Sequence, residues 1–419
     1  MTRDADLPEP RARAETPAAF RPPRTWLMMG HKTGDNNQIL ALAEALGWPF
    51  EIKRLVYRRT ELLTNLLAGP SLRGLVRAHS SPLAPPWPEL VITAGRRNEP
   101  LVRWIQKQVG DRGRIKIVHV GRPWARHECF DLIVTTPQYR LPRKPWILHN
   151  ELPLHRVRPE RLAAAAARLR PRLEARGLRP PYVAVLMGGQ AGPYNFDREN
   201  GALLGYWASR LAAGLGGSLL VTTSARTPAR AVDALERELS VPAFLYRWRP
   251  DDPDNPYFGM LGLAAHIVVT CDSMSMLAEA CATGRPVHIF DLLRGPGSRR
   301  PPRPADGRIR ARSLLERLAD WHPRPVIYRL GMRFAPRRLT RDVSLIHRRQ
   351  VELGRAVWLG DPWPEGHRPP QPRDLERAVA AVRALFGPDG RPRPPALPEL
   401  APIYPGGSLV QELRARLFQ

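Results

Sequence analysis

Two short apolar runs with a helical pattern between them make up residues 266–292, "HIVVTCDSMSMLAEACATGRPVHIFDL". This pattern predicts a strand, a helix and a second strand, which is the β–α–β unit of a parallel sheet. Near-continuous apolar strands are typical of parallel sheets that helices cover on both faces. The stretch therefore predicts an α/β fold, and the polar residues after its first strand predict a site at that junction.

The same alternation of apolar runs and helical patterns continues along most of the chain. Apolar strands are predicted at residues 25–30, 50–57, 89–95, 114–121, 130–136, 182–189, 217–224, 243–248, 266–272 and 286–292. Strands that alternate with helices favour doubly wound parallel sheets. The predicted fold class is therefore α/β, with two doubly wound Rossmann-like domains that face a cleft.

The predicted domain boundaries follow from where this pattern begins, pauses and stops. A chain of 419 residues is long enough for two domains. We expect a disordered N-terminal segment at 1–24, a first Rossmann-like domain at 25–155 and a second at 180–345. Residues 293–312 contain seven Arg and one Asp, which predicts a mobile basic loop in the second domain. A helical and Pro-rich segment is expected at 346–419.

The chain is strongly basic, with 65 Lys and Arg against 39 Asp and Glu and a net charge of +26. Such a charge attracts phosphates, anionic lipid or nucleic acid, although coding bias also enriches Arg together with Ala, Pro and Gly. The three Cys lack metal-site or disulfide spacing, which is typical of a reducing compartment. No apolar run reaches about 18 residues and no signal-peptide pattern opens the chain. We therefore expect a cytoplasmic protein, with at most a peripheral contact to an anionic membrane surface at its inner face.

Polar residues crowd the first junction of residues 266–292. Asp272, Ser273 and Ser275 lie where the predicted helix begins, and Glu279 lies further along it. Free backbone N–H groups and the positive end of a helix dipole bind anions, and hydroxyl groups add donors. Glu279 is an acceptor suited to the hydroxyl groups of a ribose. The alternative is an ordinary N-cap followed by a solvated Glu.

Two other strand ends of the second domain carry groups of the same kind. Gly188 and Gly189 lack side chains, which lets backbone amides approach a ligand, although a plain turn is the alternative. Ser224 and Arg226 follow the next strand, and a guanidinium beside hydroxyls suits a diphosphate. Because the carboxyl ends of parallel strands meet at one edge, these groups together predict a site for a nucleotide diphosphate.

The junction after the first strand has the sequence GHKTGDNNQ, at residues 30–38. It lacks the spacing of a P-loop, so ATP hydrolysis is not indicated. Asp35 and His31 are the candidate general bases, and the alternative is that Asp35 or Asn36 only caps the helix. No metal is predicted, because the acidic DDPD at 251–254 contains a Pro and indicates a solvated turn.

With these motifs in this order, the chain resembles the elongated-mitochondria family, which is named for a plant mitochondrial fission factor and otherwise contains bacterial proteins. The resemblance covers about residues 25–292 and rests on GHKTGDNNQ, AGRR, GGQAGPYNFD, LLVTTSARTP and the stretch from NPYFG to HIFDL. The family is similar to GT-B glycosyltransferases, whose second domain holds a nucleotide sugar and binds its ribose with a helical Glu. The resemblance implies such a site here, with Glu279 as that residue.

The residues and the resemblance together predict a glycosyltransferase of GT-B type, in which Asp35 deprotonates the acceptor. The donor substrate is a nucleotide-diphosphate sugar, with no further cofactor, and the acceptor is expected in the cell envelope. The groups expected at the donor diphosphate are Ser224, Arg226, Ser273, Gly188 and Gly189, and those at the acceptor are the GHKTGDNNQ junction, Arg96 and Arg97. A nucleotide-sugar epimerase and a non-catalytic interaction protein stay open as alternatives. Nucleic acid is not an expected partner, because the basic loop lacks interleaved aromatic residues.

Overall fold

The computed structural model describes residues 20–58, 69–110, 112–293, 298–309, 323–334 and 340–394. Most of the predicted segment 1–24, and the end of the predicted segment 346–419 from residue 395 onward, lie outside this part of the chain. Two six-stranded sheets organise the described residues, and helices flank both sheets. Within these ranges no helix is long and apolar enough to span a membrane.

The strands are β1 Thr25–Met29, β2 Phe50–Arg54, β3 Leu90–Ala94, β4 Lys116–Val120, β5 Leu132–Thr135, β6 Ile147–His149, β7 Tyr182–Leu186, β8 Ser218–Thr222, β9 Ala243–Tyr246, β10 Ala264–Thr270, β11 Val287–Phe290 and β12 Val357–Trp358. The α-helices are α1 Thr33–Leu46, α2 Glu99–Val109, α3 Pro159–Glu174, α4 Arg198–Gly214, α5 Ala229–Arg237, α6 Tyr257–Leu263, α7 Met274–Ala282, α8 Pro323–Phe334, α9 Ser344–Glu352 and α10 Asp374–Arg383. The predicted strands are all present. The short β6 and β12 were not predicted, because two or three residues show no periodicity.

The strands β1, β3, β4 and β5 of the first sheet are buried on both faces, as their apolar sequences require, whereas most residues of the edge strand β2 are exposed. All residues of β1 are buried, and successive side chains of a strand point to opposite faces. Leu27 and Met29 join the core that contains α1, whereas Trp26 and Met28 join the core that contains α2. The strand order is β2-β1-β3-β4-β5-β6, and the pairs are parallel.

The second sheet has the order β9-β8-β7-β10-β11-β12, also with parallel pairs. Numbered from β7, this is the 3-2-1-4-5-6 order of a Rossmann fold. The order reverses between β7 and β10, and in the first sheet it reverses between β1 and β3. The predicted fold class, with two doubly wound Rossmann-like sheets, is confirmed by these strand orders. Ligands of such sheets bind outside the carboxyl ends of the strands at these points of reversal.

The C-terminal part of the described chain contributes to both sheets. β12 pairs with β11, so it adds the last strand to the second sheet. α10 then packs on α1, where Leu375, Ala378 and Val382 join the core of the first sheet. Oδ1 of Asp374 accepts a hydrogen bond of 2.7 Å from the amide of Glu151. The predicted helical and Pro-rich segment is therefore integrated into both halves of the protein.

Residues 298–309 of the predicted mobile basic loop are held against the second domain. Arg300 and Arg303 both form ion pairs with Oε1 of Glu199, with N–O distances of 3.0 and 2.6 Å. Arg308 pairs with Glu238 at 3.1 Å, and Ile309 is buried in the core. These residues form no helix or strand, and ion pairs to Glu199 and Glu238 hold them in place. Residues 294–297 and 310–312 of the predicted loop lie outside the part of the chain that the structure describes.

Candidate functional site

A pocket of about 450 Å³ lies where the strand order of the first sheet reverses. Its walls come from the junctions after β1 and β3, together with one residue of the segment after β2. The lining residues are Gly30, His31, Lys32, Asp35, Asn36, Tyr57, Ala94, Gly95, Arg96, Arg97 and Asn98. Both candidate bases, Asp35 and His31, are therefore in one pocket with Arg96 and Arg97.

Helix α1 begins four residues earlier than the sequence pattern indicates, at Thr33 rather than near Asn37. The residue that precedes it, Lys32, makes no side-chain capping bond. Asp35 lies in the first turn and is half-buried, so it does not hold the N-cap position that the capping alternative requires. Its carboxylate faces the turn after β3, where a Cβ on Gly95 would lie 3.0 Å from Oδ2.

Two asparagines shape this pocket. The side chain of Asn36 donates to the carbonyl of Gly30 at 2.8 Å and accepts from its amide at 3.1 Å, which fixes the turn after β1. Asn98 donates to the carbonyl of Met28 at 2.6 Å and accepts from the hydroxyl of Tyr57. Sequence reasoning missed Asn98 and Tyr57, although a polar residue just after an apolar strand is the signal that could have indicated Asn98.

The pocket is electrostatically positive. Burial raises the pKa of Asp35, while Lys32, Arg341 and His31 act to lower it. Burial, Arg97, Lys32 and Arg96 lower the pKa of His31, which Asp35 alone acts to raise. Nδ1 of His31 lies 3.3 Å from Nη1 of Arg97. Near neutral pH the imidazole is therefore neutral, and a carboxylate and an imidazole are both present as proton acceptors.

Gly188 and Gly189 follow β7 and lie where the strand order of the second sheet reverses. The amide of Gly189 donates to Oδ2 of Asp272 at 2.6 Å, and the amide of Gly188 donates to Oγ1 of Thr270 at 2.8 Å. A Cβ on Gly189 would lie 2.2 Å from the carbonyl oxygen of Arg226. The glycines are thus required for close backbone packing. The sequence reasoning expected their amides to point into the cleft, but both amides donate hydrogen bonds within the protein.

The other predicted donor-side residues meet at the same junction. Oγ of Ser224 donates to the carbonyl of Gly188 at 2.8 Å, and Nη2 of the exposed Arg226 lies 3.8 Å from Oδ2 of Asp272. Burial raises the pKa of Asp272 to about 6, although the Gly189 amide, the Thr270 hydroxyl and Arg226 act to lower it. Through these contacts, Asp272 connects the residues that follow β7 and β8 to the end of β10.

Helix α7 places the remaining predicted residues. Ser273 is its N-cap residue and makes no side-chain capping bond, so its hydroxyl does not serve the cap that the alternative proposed. Ser275, in the first turn, faces the first domain, where a Cβ on Gly34 would lie 3.6 Å from its Oγ. The first turns of α1 and α7 therefore approach each other, which brings the two points of strand reversal close together.

Glu279 is buried on α7 and not solvated, which contradicts the alternative of a solvated Glu. It accepts a hydrogen bond of 2.5 Å from the hydroxyl of Tyr257, the first residue of α6. Burial raises the pKa of Glu279 to about 7, while the Tyr257 hydroxyl, Arg161 and Arg156 act to lower it. Sequence reasoning missed Tyr257 as a partner of Glu279.

These two sites, one at each wall of a shared cleft, define a class of two-domain α/β proteins whose points of strand reversal face each other. Residues 33–322 match the family described as mitochondrial fission ELM1. The chain therefore belongs to the mitochondrial fission ELM1 family, which confirms the resemblance seen in the sequence. The described residues contain no group of three or more His, Cys, Asp or Glu side chains that could hold a metal ion.

Two relatives illustrate how far the similarity extends. An uncharacterised protein of Rickettsia prowazekii (strain Madrid E), RP120, is 24% identical over 304 residues, which cover 63% of this chain and 82% of that protein. The mitochondrial fission protein ELM1 of Arabidopsis thaliana is 26% identical over 240 residues, which cover 52% of this chain and 55% of that protein. The chain thus spans about half the length of the Arabidopsis relative.

Similar solved structures include a glycosyltransferase from Rickettsia africae, at 11% identity and a TM-score of 0.39, over 80% of this chain and 98% of that one. Another is MurG from Acinetobacter baumannii, at 14% identity and a TM-score of 0.35, over 86% and 100%. A third is a UDP-GlcNAc 2-epimerase from Methanocaldococcus jannaschii, at 13% and 0.37, over 64% and 83%. These TM-scores are too low to support a function, which must be argued from the site.

Proposed function

We propose that this protein is a GT-B-type glycosyltransferase that binds a nucleotide-diphosphate sugar in the cleft and transfers the sugar to an acceptor. The observation that carries the proposal is the approach of α1 to α7, with Gly34 and Ser275 in near contact. It brings a pocket with candidate bases opposite a strand-reversal point that bears hydroxyls, a guanidinium and a buried Glu. A transferase needs this separation of donor and acceptor walls across one cleft.

On the donor wall, the proposed diphosphate site consists of Arg226, Ser224 and the first turn of α7 with Ser273 and Ser275. The positive end of the helix dipole and the guanidinium stabilise the charge that develops on the leaving diphosphate. The ribose hydroxyls bind Glu279, which the Tyr257 hydroxyl orients. This arrangement stabilises the leaving group without a metal ion, because fixed dipoles and a cation supply the compensating charge.

On the acceptor wall, Asp35 accepts the proton of the attacking hydroxyl group. Burial raises the pKa of Asp35, which makes its carboxylate a stronger base than a solvated one, while Lys32, Arg341 and His31 act to lower that pKa. In the transfer step, the acceptor oxygen forms a bond to the anomeric carbon of the sugar, and the bond from that carbon to the diphosphate oxygen breaks. The proton of the acceptor hydroxyl moves to Asp35. His31, 3.3 Å from Arg97 through its Nδ1, is the second candidate base.

The donor half of this proposal is tested by binding. Isothermal titration of the full chain with a panel of nucleoside diphosphates should identify one that binds, and Glu279→Ala should weaken that binding by about 1 to 3 kcal/mol. Glu352→Ala, on the exposed end of α9, is the matched control and should bind normally. Unchanged affinity in a folded Glu279→Ala protein would refute the ribose role.

Incubation with the matching nucleotide sugar alone then separates a transferase from an epimerase, which would change the sugar without an acceptor.

We also propose that the protein acts in the cytoplasm and contacts an anionic membrane surface peripherally. The support is the net charge of +26 and the surface of helix α8. Leu330 and Phe334 on this helix are 52% and 74% exposed, beside the exposed Arg333. Exposed apolar side chains next to cations are typical of helices that insert shallowly between anionic headgroups. Since the loop arginines at 300, 303 and 308 are paired with acids, α8 is the better candidate for this contact.

A further inference from the structure

The pocket of the first domain differs in charge from a site for a neutral sugar hydroxyl. Among the described residues that line it, Lys32, Arg96 and Arg97 are cationic and Asp35 is the one acid. A fourth cation, Arg341, comes from the segment before α9 and is close enough to Asp35 to act on its pKa. Three cations and one acid among the lining residues favour an anionic ligand.

The cations are held in place by neighbouring side chains. The guanidinium of Arg96 lies 4.3 Å from the ring centre of Trp124, as in a cation–π contact. Nε of Arg341 donates to Oε1 of the buried Gln138 at 2.6 Å. Cations that are oriented before a ligand arrives lose less entropy on binding, so they bind an anion more tightly than mobile surface cations do.

The field that these cations produce is seen in the neighbouring imidazole. Burial lowers the pKa of His31 most, and Arg97, Lys32 and Arg96 lower it further, whereas Asp35 alone acts to raise it. Three cations and one acid thus act on the imidazole. Phosphate oxygens are the natural ligands of such a place, because they accept several charge-assisted hydrogen bonds and neutralise more than one cation.

We propose that the pocket lined by Lys32, Arg96 and Arg97 binds a phosphate or diphosphate group of the acceptor substrate, beside the hydroxyl group that Asp35 deprotonates. This inference rests on the proposed transferase function, to which it adds the chemical class of the acceptor. It distinguishes two phosphate sites in one cleft: the donor diphosphate beside Arg226, and the acceptor phosphate across the cleft beside Arg97.

Inorganic pyrophosphate is the probe, titrated into the full chain with and without a saturating nucleoside diphosphate. We expect pyrophosphate to bind in both cases. Lys32→Gln and Arg97→Gln should each lower its affinity about tenfold, since each removes a charge-assisted contact. Lys32 is exposed and makes no capping bond, so its substitution leaves the fold intact. Arg373→Gln, which removes a side chain 80% exposed near α10, is the matched control and should leave affinity unchanged.

Asp35→Asn supplies a readout of opposite sign. Removal of the one carboxylate in the pocket should raise pyrophosphate affinity about threefold or more, because it removes a like charge next to the anion. A purely structural role of Asp35 would not increase affinity. With the donor site saturated by a nucleoside diphosphate, Arg226→Gln should leave the remaining pyrophosphate binding intact, since Arg226 belongs to the donor wall.

Three results would overturn the phosphate site: no pyrophosphate binding, loss of binding in Arg226→Gln with none in Arg97→Gln, or an equal loss in the Arg373→Gln control. The second would assign the anion to the donor wall, and the third would indicate unspecific attraction to a basic protein. Retained pyrophosphate binding with no nucleoside diphosphate binding at all would instead refute the transferase proposal and leave the phosphate site assigned.

Discussion

The hydroxyl of Tyr257 on α6 lies 2.5 Å from Oε2 of Glu279 on α7 and donates a hydrogen bond to it. The two residues are 22 positions apart in the chain, and only the packing of α6 and α7 beside β10 brings them together. The carboxylate is thus buried and oriented before any ligand binds. A buried acid with a single hydrogen-bonding hydroxyl is costly to ionise, and this cost has a measurable consequence for stability.

The first prediction concerns stability and pH. Burial raises the pKa of Glu279 from 4.5 to about 7, so the folded protein binds a proton that the unfolded chain has lost. The contribution of this proton binding to the free energy of unfolding is fully present below pH 4.5, declines as the pH rises toward 7 and is absent above pH 7. Glu279→Gln should therefore flatten the fall in the free energy of unfolding between these values, measured by urea denaturation at several pH values.

The matched control is Glu376→Gln, which changes an exposed carboxylate on α10 and should leave the pH profile unaltered. Some slope should remain in Glu279→Gln, because burial also raises the pKa of Asp272 to about 6. Identical profiles for the wild type and Glu279→Gln would show that Glu279 is not buried in the way described.

The second prediction concerns the close contact after β7. In Gly189→Ala the new methyl group would lie 2.2 Å from the carbonyl oxygen of Arg226, so the backbone must shift. We expect the free energy of unfolding to fall by about 1 to 3 kcal/mol, the usual cost of overpacking. Gly214→Ala near the end of α4 meets nothing within 4 Å and should be neutral or stabilising by up to about 1 kcal/mol. Equal stability of the two variants would contradict the contact.

The third prediction concerns chemistry. Asp35→Asn should keep donor affinity and lower turnover about 100-fold or more, because the amide cannot accept the proton of the acceptor hydroxyl. Since Asp35 is not the N-cap of α1, the substitution should leave stability nearly unchanged. Single-turnover kinetics with an acceptor that the protein glycosylates would measure the effect. Wild-type turnover in Asp35→Asn would transfer the role of base to His31.

The fourth prediction concerns membrane contact. Replacement of both Leu330 and Phe334 by Gln should reduce sedimentation with vesicles that contain anionic lipid, because both are exposed apolar side chains on α8. Phe50→Gln is the matched control, since Phe50 is also exposed but lies on β2 of the first sheet. Undiminished sedimentation of the double variant, or equal binding to neutral vesicles, would rule out this surface.

Much of the fold could be predicted from the sequence, because its signals are local. The apolar runs that form β1 to β5 and β7 to β11 show their burial directly, and Gly47 marks the end of α1 because it adopts a left-handed conformation with φ of 70°. The polar strand ends could also be predicted, since the carboxyl ends of parallel strands meet at one edge. Asp272, Ser224 and Arg226 were found in this way.

The tertiary structure decided the rest, because long-range packing determines it. The strand order places the ends of β7 and β10 side by side. The amides of Gly188 and Gly189 therefore donate hydrogen bonds to side chains at the end of β10 and are not available to a ligand. Partners distant in sequence, such as Tyr257 for Glu279 or Arg341 for Asp35, leave no periodic signal. A local pattern can predict which residues end a strand, but only the packed chain determines which of them share a pocket, since burial and neighbouring charges set their pKa values.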